Sequence, residues 1–415
     1  TEIYTLSLHD ALPIFQGTKI KVAFVSTNSI VQGEQTSILW GQLLYKYNIK
    51  IHFAHRTFKW KNEAKGNAAV YCIIVGFANF DSNNKFIFEY EDIKGEAHKL
   101  NVKNINPYLV DAKDILISKR RKPLCNVPEI NFGNMPNDGG NFFIEDEYVS
   151  TYKLKERLSE KYIKPFLGAY EFLNNKRKWC LWFYNNFEPN DLKMMPLSYK
   201  RIKFIEKLRS ESKREATRKL ALFPTLFGEI RQPETNFILI PRVSSENRNI
   251  IPIGIFEPNH IIGDTCLSIQ NVKLYHFGIL TSAMHMAWVK TVCGRLESRF
   301  RYSNTIVYNN YPWPENPNDK QIKAIETAAQ KVLDTRLLFP NSSLANLYDP
   351  LTMPPALVKA HKELDKAVDL AYRPQPLTSE ANRMAFLFEL YEKYTADLLT
   401  KEKMKKIRKK KINIL

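Results

Sequence analysis

The stretch AAVYCIIVGF, residues 68–77, decides how the chain is read. It is an almost unbroken apolar run, the pattern of a strand buried in the middle of a sheet. Working outward, Lys19–Val25 (KIKVAFV) is a second β-rich run that ends in the polar stretch Ser26-Thr27-Asn28-Ser29. Glu34–Tyr47 then shows helical spacing, with Ile38, Leu39, Gln42, Leu43 and Lys46 turning about one axis. Ile49–Ala54 is a further strand. Strand, helix, strand and buried strand predict the trailing half of an α/β sheet domain. About 60 residues are too few to complete such a domain.

From about Asn104 the texture changes. Pro107, Pro123, Pro128, Pro136 and the pair Gly139-Gly140 punctuate short segments. Met195–Leu222 reads as one long basic helix and Leu274–Val292 as an apolar helix. Asn236–Ile240, Ile250–Phe256 and Leu267–Ile269 read as strands. After Tyr311-Pro312-Trp313-Pro314, three helices are predicted at Asp319–Leu338, Pro354–Tyr372 and Ser379–Thr400, a small bundle followed by a basic tail. The expected fold is thus α/β, then α+β, then helical. No internal repeat is visible.

The 415 residues suggest two or three domains. Apolar residues at 44% and charged residues at 25% exclude a wholly disordered, collagenous or coiled-coil chain. No apolar run reaches about 18 residues, so no transmembrane helix is predicted. The cysteines at 72, 125, 180, 266 and 293 lie far apart and form no CxxC pair. They support neither zinc nor a disulfide framework, and a reducing cytoplasm is expected. The net charge is +18, of which the tail Lys401–Lys411 supplies +7; the other +11 is spread through the folded part and points to a polyanionic partner.

Several constellations could carry chemistry. Arg295–Tyr302 (RLESRFRY) alternates strictly, so a single strand would place Arg295, Glu297, Arg299 and Arg301 on one face. Arginine can grip guanine bidentately and glutamate can accept from cytosine N4. A pure phosphate binder gains nothing from a carboxylate facing DNA, although a surface strand with cross-strand ion pairs would show the same pattern. Arg242–Asn249 (RVSSENRN) gathers hydroxyls, amides and guanidinium groups between two strands, as phosphate-holding loops do and as hydrogen-bonded turns also do. Arg56-Thr57-Phe58-Lys59-Trp60 joins two strands with two aromatics beside two cations; it could stack an extruded base or pack at a sheet edge. Asn137-Asp138-Gly139-Gly140 is turn chemistry. His276 and His285 are expected to pack, Cys266 and Cys293 to lie in the core. Asp81 with Asp92-x-Lys94 fits a loose nuclease spacing by chance. No Ser/His/Asp or Cys/His set and no glycine-rich phosphate loop is present.

With these residues in view, the chain resembles the MmeI-like class of DNA methyltransferases. In these prokaryotic restriction–modification enzymes one chain carries an adenine-N6 methyltransferase, a target-recognition domain and a C-terminal helical domain. The likeness is carried by FVSTNSIVQGEQ (24–35), FAHRTFKWKNEAKGNAAV (53–70), NPYLVD (106–111) and GNMPNDGG (133–140). It continues in KWCLW (178–182), PRVSSENRNIIPIG (241–254), GILTSAMHMAWVKTVCGRLESRFRYSNTIVYNNYPWP (278–314) and LANLYDPLTMPPALVKAHKELDKAVDLAY (344–372). The resemblance implies that 15–103 is the end of a Rossmann-like methyltransferase sheet, 104–314 a target-recognition domain, 315–400 a helical domain and 401–415 a basic tail. It implies double-stranded DNA as partner, with no membrane and no obligate protein partner. Glu297, Arg299 and Arg301 would read bases, and Glu297 with Arg299 would favour a C·G pair. Arg242, Ser244, Ser245, Arg248 and Arg295 would hold the backbone. Phe58 or Trp60 would stack a flipped adenine.

The sequence departs from the family in one respect that bears on activity. The S-adenosylmethionine loop and the Asn-Pro-Pro-aromatic motif do not occur in these residues. The cofactor would be bound mainly upstream, no catalytic residue is assigned here, and no metal is expected. Residues 1–14 resemble a translated sequencing adapter, so native sequence is expected to precede Phe15. The alternative is a non-enzymatic DNA-specificity subunit acting in trans; the half-sheet at 68–77 argues against it.

Overall fold

The computed structural model describes residues 17–60, 70–90, 95–185 and 187–412; the side chains of Trp60 and of 397–412 lie outside the description. So do the adapter-like residues 1–14, Asp92 and Lys94. Contacts divide the chain into two compact units.

The first unit comprises residues 1–127, 283–317 and 369–415. Its sheet is built from β1 (Val22–Thr27), β2 (Lys50–Trp60), β3 (Val70–Ala78), β4 (Lys85–Tyr90) and β5 (Ala97–Val102), in the order β1-β3-β2-β4-β5. The helix Gly33–Tyr45 connects β1 to β2. The apolar run forms β3 as expected. It runs antiparallel to both neighbours, from Val22↔Phe77 to Thr27↔Cys72 on one side and Lys50↔Ala78 to Trp60↔Val70 on the other. β1 and β2 therefore run in the same direction, and the crossover leaves a slot that β3 fills. Ile51, Ile73, Val75, Phe77 and Ile87 meet Trp40, Leu43 and Leu44 of the helix in one core. On the opposite face, rings pair across β2 and β4, with Phe53 on Phe86 at 5.6 Å and His55 on Phe88 at 4.1 Å.

The same unit holds the helix Ala283–Val292 packed against the long helix Glu380–Ile412. Trp288 is fully buried and donates from Nε1 to the Val307 carbonyl at 3.0 Å. Tyr311 of the Tyr-Pro-Trp-Pro segment is buried as well and accepts from the Tyr372 hydroxyl at 2.7 Å.

The second unit comprises 128–282 and 318–368. One of its sheets joins β6 (Ile130–Phe132), β10 (Phe237–Pro241), β12 (Gly254–Phe256) and β14 (Cys266–Gln270) in the order β12-β10-β14-β6; the other joins β7 (Phe143–Glu145), β8 (Ile163–Leu167), β9 (Lys178–Leu181) and β13 (Ile261–Ile262) in the order β13-β8-β9-β7. Between β10 and β12, β11 (Val243–Ser244) leads into a loop. The helix Leu274–Leu280 lies on Asp319–Leu337, close enough that a Cβ on Gly278 would stand 2.6 Å from Ile325.

The structure corrects several expectations. Met195–Leu222 is not one helix: Pro196–Ser210 ends in a turn, and Glu215–Lys219 and a 3-10 turn at Leu220–Leu222 follow. Leu274–Val292 is broken at Thr281-Ser282, which is also where the two compact units part. The strand expected at Ile250–Phe256 shortens to β12. Arg56–Trp60 lies within β2 instead of joining two strands; a register shift between His55 and Phe58 marks the place. The three C-terminal helices are present as expected, at Asp319–Leu337, Pro355–Tyr372 and Glu380–Ile412; by contacts, Asn318–Val368 clusters with the second unit and Asp369–Leu415 with the first.

Candidate nucleic-acid interface

The segment Arg295–Tyr302 is a hairpin, not a continuous strand. Arg295 pairs with Phe300 and Leu296 with Arg299, leaving Glu297 and Ser298 as a two-residue turn. Glu297 has φ +57°, the left-handed region that such turns require. The four charged residues therefore do not share one strand face. Arg295 turns inward: its guanidinium lies 3.8 Å over the Phe300 ring and donates to the Lys290 carbonyl at 3.0 Å and the Ser298 carbonyl at 3.4 Å. Glu297, Arg299 and Arg301 stay exposed. Arg299 Nη2 donates to Glu297 Oε2 at 2.8 Å. The pair thus presents a carboxylate and a guanidinium side by side at the hairpin tip.

The base of the hairpin is rigid. Arg301 N donates to the Gly294 carbonyl at 2.9 Å. Phe300 and Tyr302 are buried, and the Tyr302 hydroxyl meets His285 Nε2 at 2.9 Å. Burial pushes His285 down to about 3, so it stands neutral, and it raises the Tyr302 hydroxyl well above its ordinary range. His285 packs as expected, while His276 Nδ1 accepts from Lys273 N at 2.9 Å and caps its helix. Cys266 and Cys293 are both fully buried.

Beside the hairpin, the first unit holds a cavity of about 460 Å³ lined by Arg56, Thr57, Tyr90, Lys290 and Arg295 among others. The sequence reading missed that Arg56-Thr57 and Arg295 meet there, because 239 positions separate Arg56 from Arg295. Arg56 is anchored to Glu89 and donates to the Leu109 carbonyl at 2.9 Å. Phe58 stacks on Tyr90 at 5.4 Å within β2, a strand inside the sheet and not at its edge. The Trp60 side chain lies outside the described residues.

In the second unit, the loop after β10 turns much of its chemistry on itself. Arg242 donates to the Asp264 carbonyl at 2.8 Å and lies 4.8 Å over the Phe132 ring. Ser244 is 3% exposed, which removes it from direct reach of a phosphate, and its hydroxyl accepts from Arg248 Nη1 at 3.4 Å. Ser245 Oγ accepts from Asn247 N at 3.3 Å. Partial burial lowers the affinity of Arg248 for its proton.

No group of three or more His, Cys, Asp or Glu side chains capable of holding a metal occurs among the described residues. None of the described helices is long and apolar enough to cross a membrane. The residues present do not compose an S-adenosylmethionine site: the polar turn after β1 spends its hydroxyls on each other, Thr27 Oγ1 to Ser29 Oγ at 2.8 Å, and no glycine-rich loop precedes it.

The first unit thus carries a five-stranded mixed sheet and, on the same unit, a hairpin with an exposed carboxylate–guanidinium pair at its tip. Family models for the MmeI DNA-methyltransferase domain, target recognition domain and C-terminal domain match residues 6–89, 111–315 and 317–399. A structure of the type IIL restriction–modification enzyme MmeI in complex with DNA superposes with a TM-score of 0.85 at 48% identity, covering 93% of this chain and 51% of that one. DNA methyltransferase A of Bacillus subtilis (strain 168) is 43% identical over 380 residues, 91% of this chain and 42% of its own length. The chain belongs to the MmeI family of DNA methyltransferases. It spans about half the length of the relatives it matches.

Proposed function

We infer that this chain supplies DNA binding and sequence choice to a site-specific adenine-N6 DNA methyltransferase of a restriction–modification system, acting in the prokaryotic cytoplasm. The observation that carries this reading is the Glu297–Arg299 pair at the hairpin tip. Its carboxylate suits cytosine N4 and its guanidinium suits guanine O6 and N7, so the pair matches a C·G base pair in the major groove. Arg301 is the third base-reading residue. Arg295 holds the hairpin to its base, and the loop with Arg242, Ser245 and Arg248 serves the DNA backbone, with buried Ser244 shaping it from within. Phe58, backed by Tyr90, or Trp60 stacks the extruded adenine.

S-adenosylmethionine supplies the methyl group in this reading. It is bound mainly by residues beyond these 415, and no chemical step is assigned to a side chain of this chain. The trans-acting alternative is less well supported. β3 and the hairpin belong to one compact unit, and a Cβ on Gly33 at the sheet's helix would stand 3.0 Å from Gly294 Cα. A free specificity subunit has no use for a sheet that matches a methyltransferase domain.

The test is selection of duplexes from a random pool by the 415-residue chain. The wild type is expected to converge on one site, and Glu297→Lys with Arg299→Asp to exchange the base at one position of it. A pool that never converges, or a site unchanged by the double substitution, overturns the assignment. Joined to residues bearing the cofactor loop and Asn-Pro-Pro-aromatic motif, the chain should direct labelled methyl to adenine N6; label on cytosine refutes the adenine assignment.

A further inference from the structure

The segment Tyr199–Phe223 carries nine basic and three acidic residues, a net +6 that is more than half of the +11 surplus outside the tail. It begins on the helix Pro196–Ser210 and continues through the turn and the short helix Glu215–Lys219 to Leu222-Phe223. Lys213, Arg214, Arg218 and Lys219 are exposed. Lys200, Lys213 and Arg214 make no ion pair among the described residues. At the end of this basic arm, Leu222 is 77% and Phe223 59% exposed.

Two large apolar side chains are not left in water by slackness of the fold, because the arm is tied down by Arg209. That side chain is fully buried. Its guanidinium donates to five carbonyls: Asn137 at 2.9 Å, Pro136 at 2.8 Å, Leu220 at 3.2 Å, Phe223 at 3.1 Å and Leu226 at 2.9 Å. The carbonyls of Leu220 and Phe223 bracket the apolar tip. Asn137 itself lies at φ +48° in the Asn-Asp-Gly-Gly turn, which Asp138 fixes by accepting from Phe142 N at 2.6 Å. The tip is preorganised before any partner arrives.

We propose that this arm is a second DNA contact, in which Lys213, Arg214, Arg218 and Lys219 grip phosphates while Leu222 and Phe223 press between base steps as an apolar wedge. The chemistry matches one partner. Cations around a rigid apolar tip suit a duplex that can be unstacked locally, and minor-groove proteins use apolar wedges in this way at a cost of a few kcal/mol per step. The proposal rests on the DNA-binding reading but concerns a different element from the hairpin.

The experiment uses the 415-residue chain and duplexes that it retains from a random pool. Binding is read by anisotropy, and unstacking by permanganate attack on thymines. Leu222→Ala with Phe223→Ala should weaken binding about tenfold and abolish thymine reactivity everywhere except opposite the extruded adenine, the only reactivity that counts here being at other thymines, while the selected site stays the same. Lys213→Glu with Arg214→Glu should weaken binding about tenfold or more at 0.1 M salt and flatten the salt dependence. Wild-type binding without thymine reactivity, or reactivity that survives the Leu222/Phe223 substitution, overturns the wedge and leaves the function intact. A charge reversal without effect overturns the phosphate contact, and an acidic protein that competes for the arm without DNA binding would name the other class of partner. Failure of the wild type to retain any duplex overturns the DNA-binding reading itself, and the proposal with it. Circular dichroism of each variant separates these outcomes from misfolding.

Discussion

In the hairpin Arg295–Arg301 the backbone and one inward-turned, half-buried arginine do the holding, whereas in the loop Arg242–Asn249 polar side chains turn back on the protein and on one another. The two segments draw on similar residue types: arginines, one glutamate and one or two serines within eight residues. In the hairpin, Arg295 is spent on the Phe300 ring and two carbonyls, which leaves Glu297, Arg299 and Arg301 outside. In the loop, Arg242 is spent on a carbonyl and a ring, Arg248 turns back to Ser244, and the exposed groups are Asn247 and Asn249. On the proposed reading, charged side chains are available to meet DNA only where something else satisfies the structure. Composition does not reveal which residues are spent; burial does.

The strongest way to break the comparison is to remove the hairpin's floor. Phe300 is 2% exposed beneath Arg295. Phe300→Ala should cost about 3–5 kcal/mol of stability and abolish site selection, measured by urea unfolding and by duplex selection. Selection that survives would mean that the tip, not its base, organises recognition.

A second pair of substitutions sharpens it. Arg299→Ala should cost about 1–3 kcal/mol of discrimination at one base position and little elsewhere. Arg248→Ala should weaken binding to all sequences alike and lower the salt slope by about one unit. Anisotropy across single-base variants of the selected site, at several salt concentrations, distinguishes the two patterns. If Arg248→Ala relaxes one position, the loop reads bases after all.

The third test is pH. His285 supports the hairpin through Tyr302, and its folded pKa is lowered to about 3, below the ordinary 6.5. Between those values the unfolded chain binds a proton that the folded chain does not, so stability is full above about 6.5 and falls as pH drops. The slope approaches about 1.4 kcal/mol per pH unit for each such group. His361 in the other unit, also held near 3 and bonded to the Tyr348 hydroxyl at 2.8 Å, adds a like amount. Urea midpoints between pH 7 and 5 should fall accordingly, and His285→Gln should remove its share. An unchanged pH response in that variant would show that His285 is not neutral in the fold.

How much of this was legible beforehand follows from where local signals and tertiary demands agree. β3 was readable because a strand enclosed by two neighbours must be apolar along its whole length. The helix Gly33–Tyr45 and the later helices were readable from their periodicity. The hairpin was not, because its turn places Glu297 at positive φ without the glycine or asparagine that announces such turns, and strict alternation then mimics one strand. The long basic helix failed at Glu211–Arg214, where Arg209 draws the carbonyls beyond it into its own hydrogen bonds. Pattern along the chain carried no sign of that long-range demand. Nor could it show that Arg56-Thr57 and Arg295 line one cavity, or that Ser244 would be buried while its neighbour Ser245 is not.

The smallest effect probes what joins the sheet to the hairpin within the first unit. Gly33 opens the helix Gly33–Tyr45 at φ +62°, and a Cβ there would stand 3.0 Å from the Gly294 Cα, the residue whose carbonyl receives Arg301 N. Backbone faces backbone, so neither side yields by rotating a side chain. Gly33→Ala should therefore cost about 1 kcal/mol through the left-handed conformation alone. Its consequence for recognition should exceed that figure, because Gly294 would have to shift and the hairpin pivots on it. Gly41→Ala is the control: it lies on the same helix with only the Leu116 side chain nearby, at 3.6 Å, and a helix interior gains from alanine. If both variants lose the same stability and both keep the selected site, sheet and hairpin are neighbours without mechanical coupling. If Gly33→Ala alone blurs the position read by Glu297 and Arg299, the approach of these two glycines is what registers the reader against the sheet.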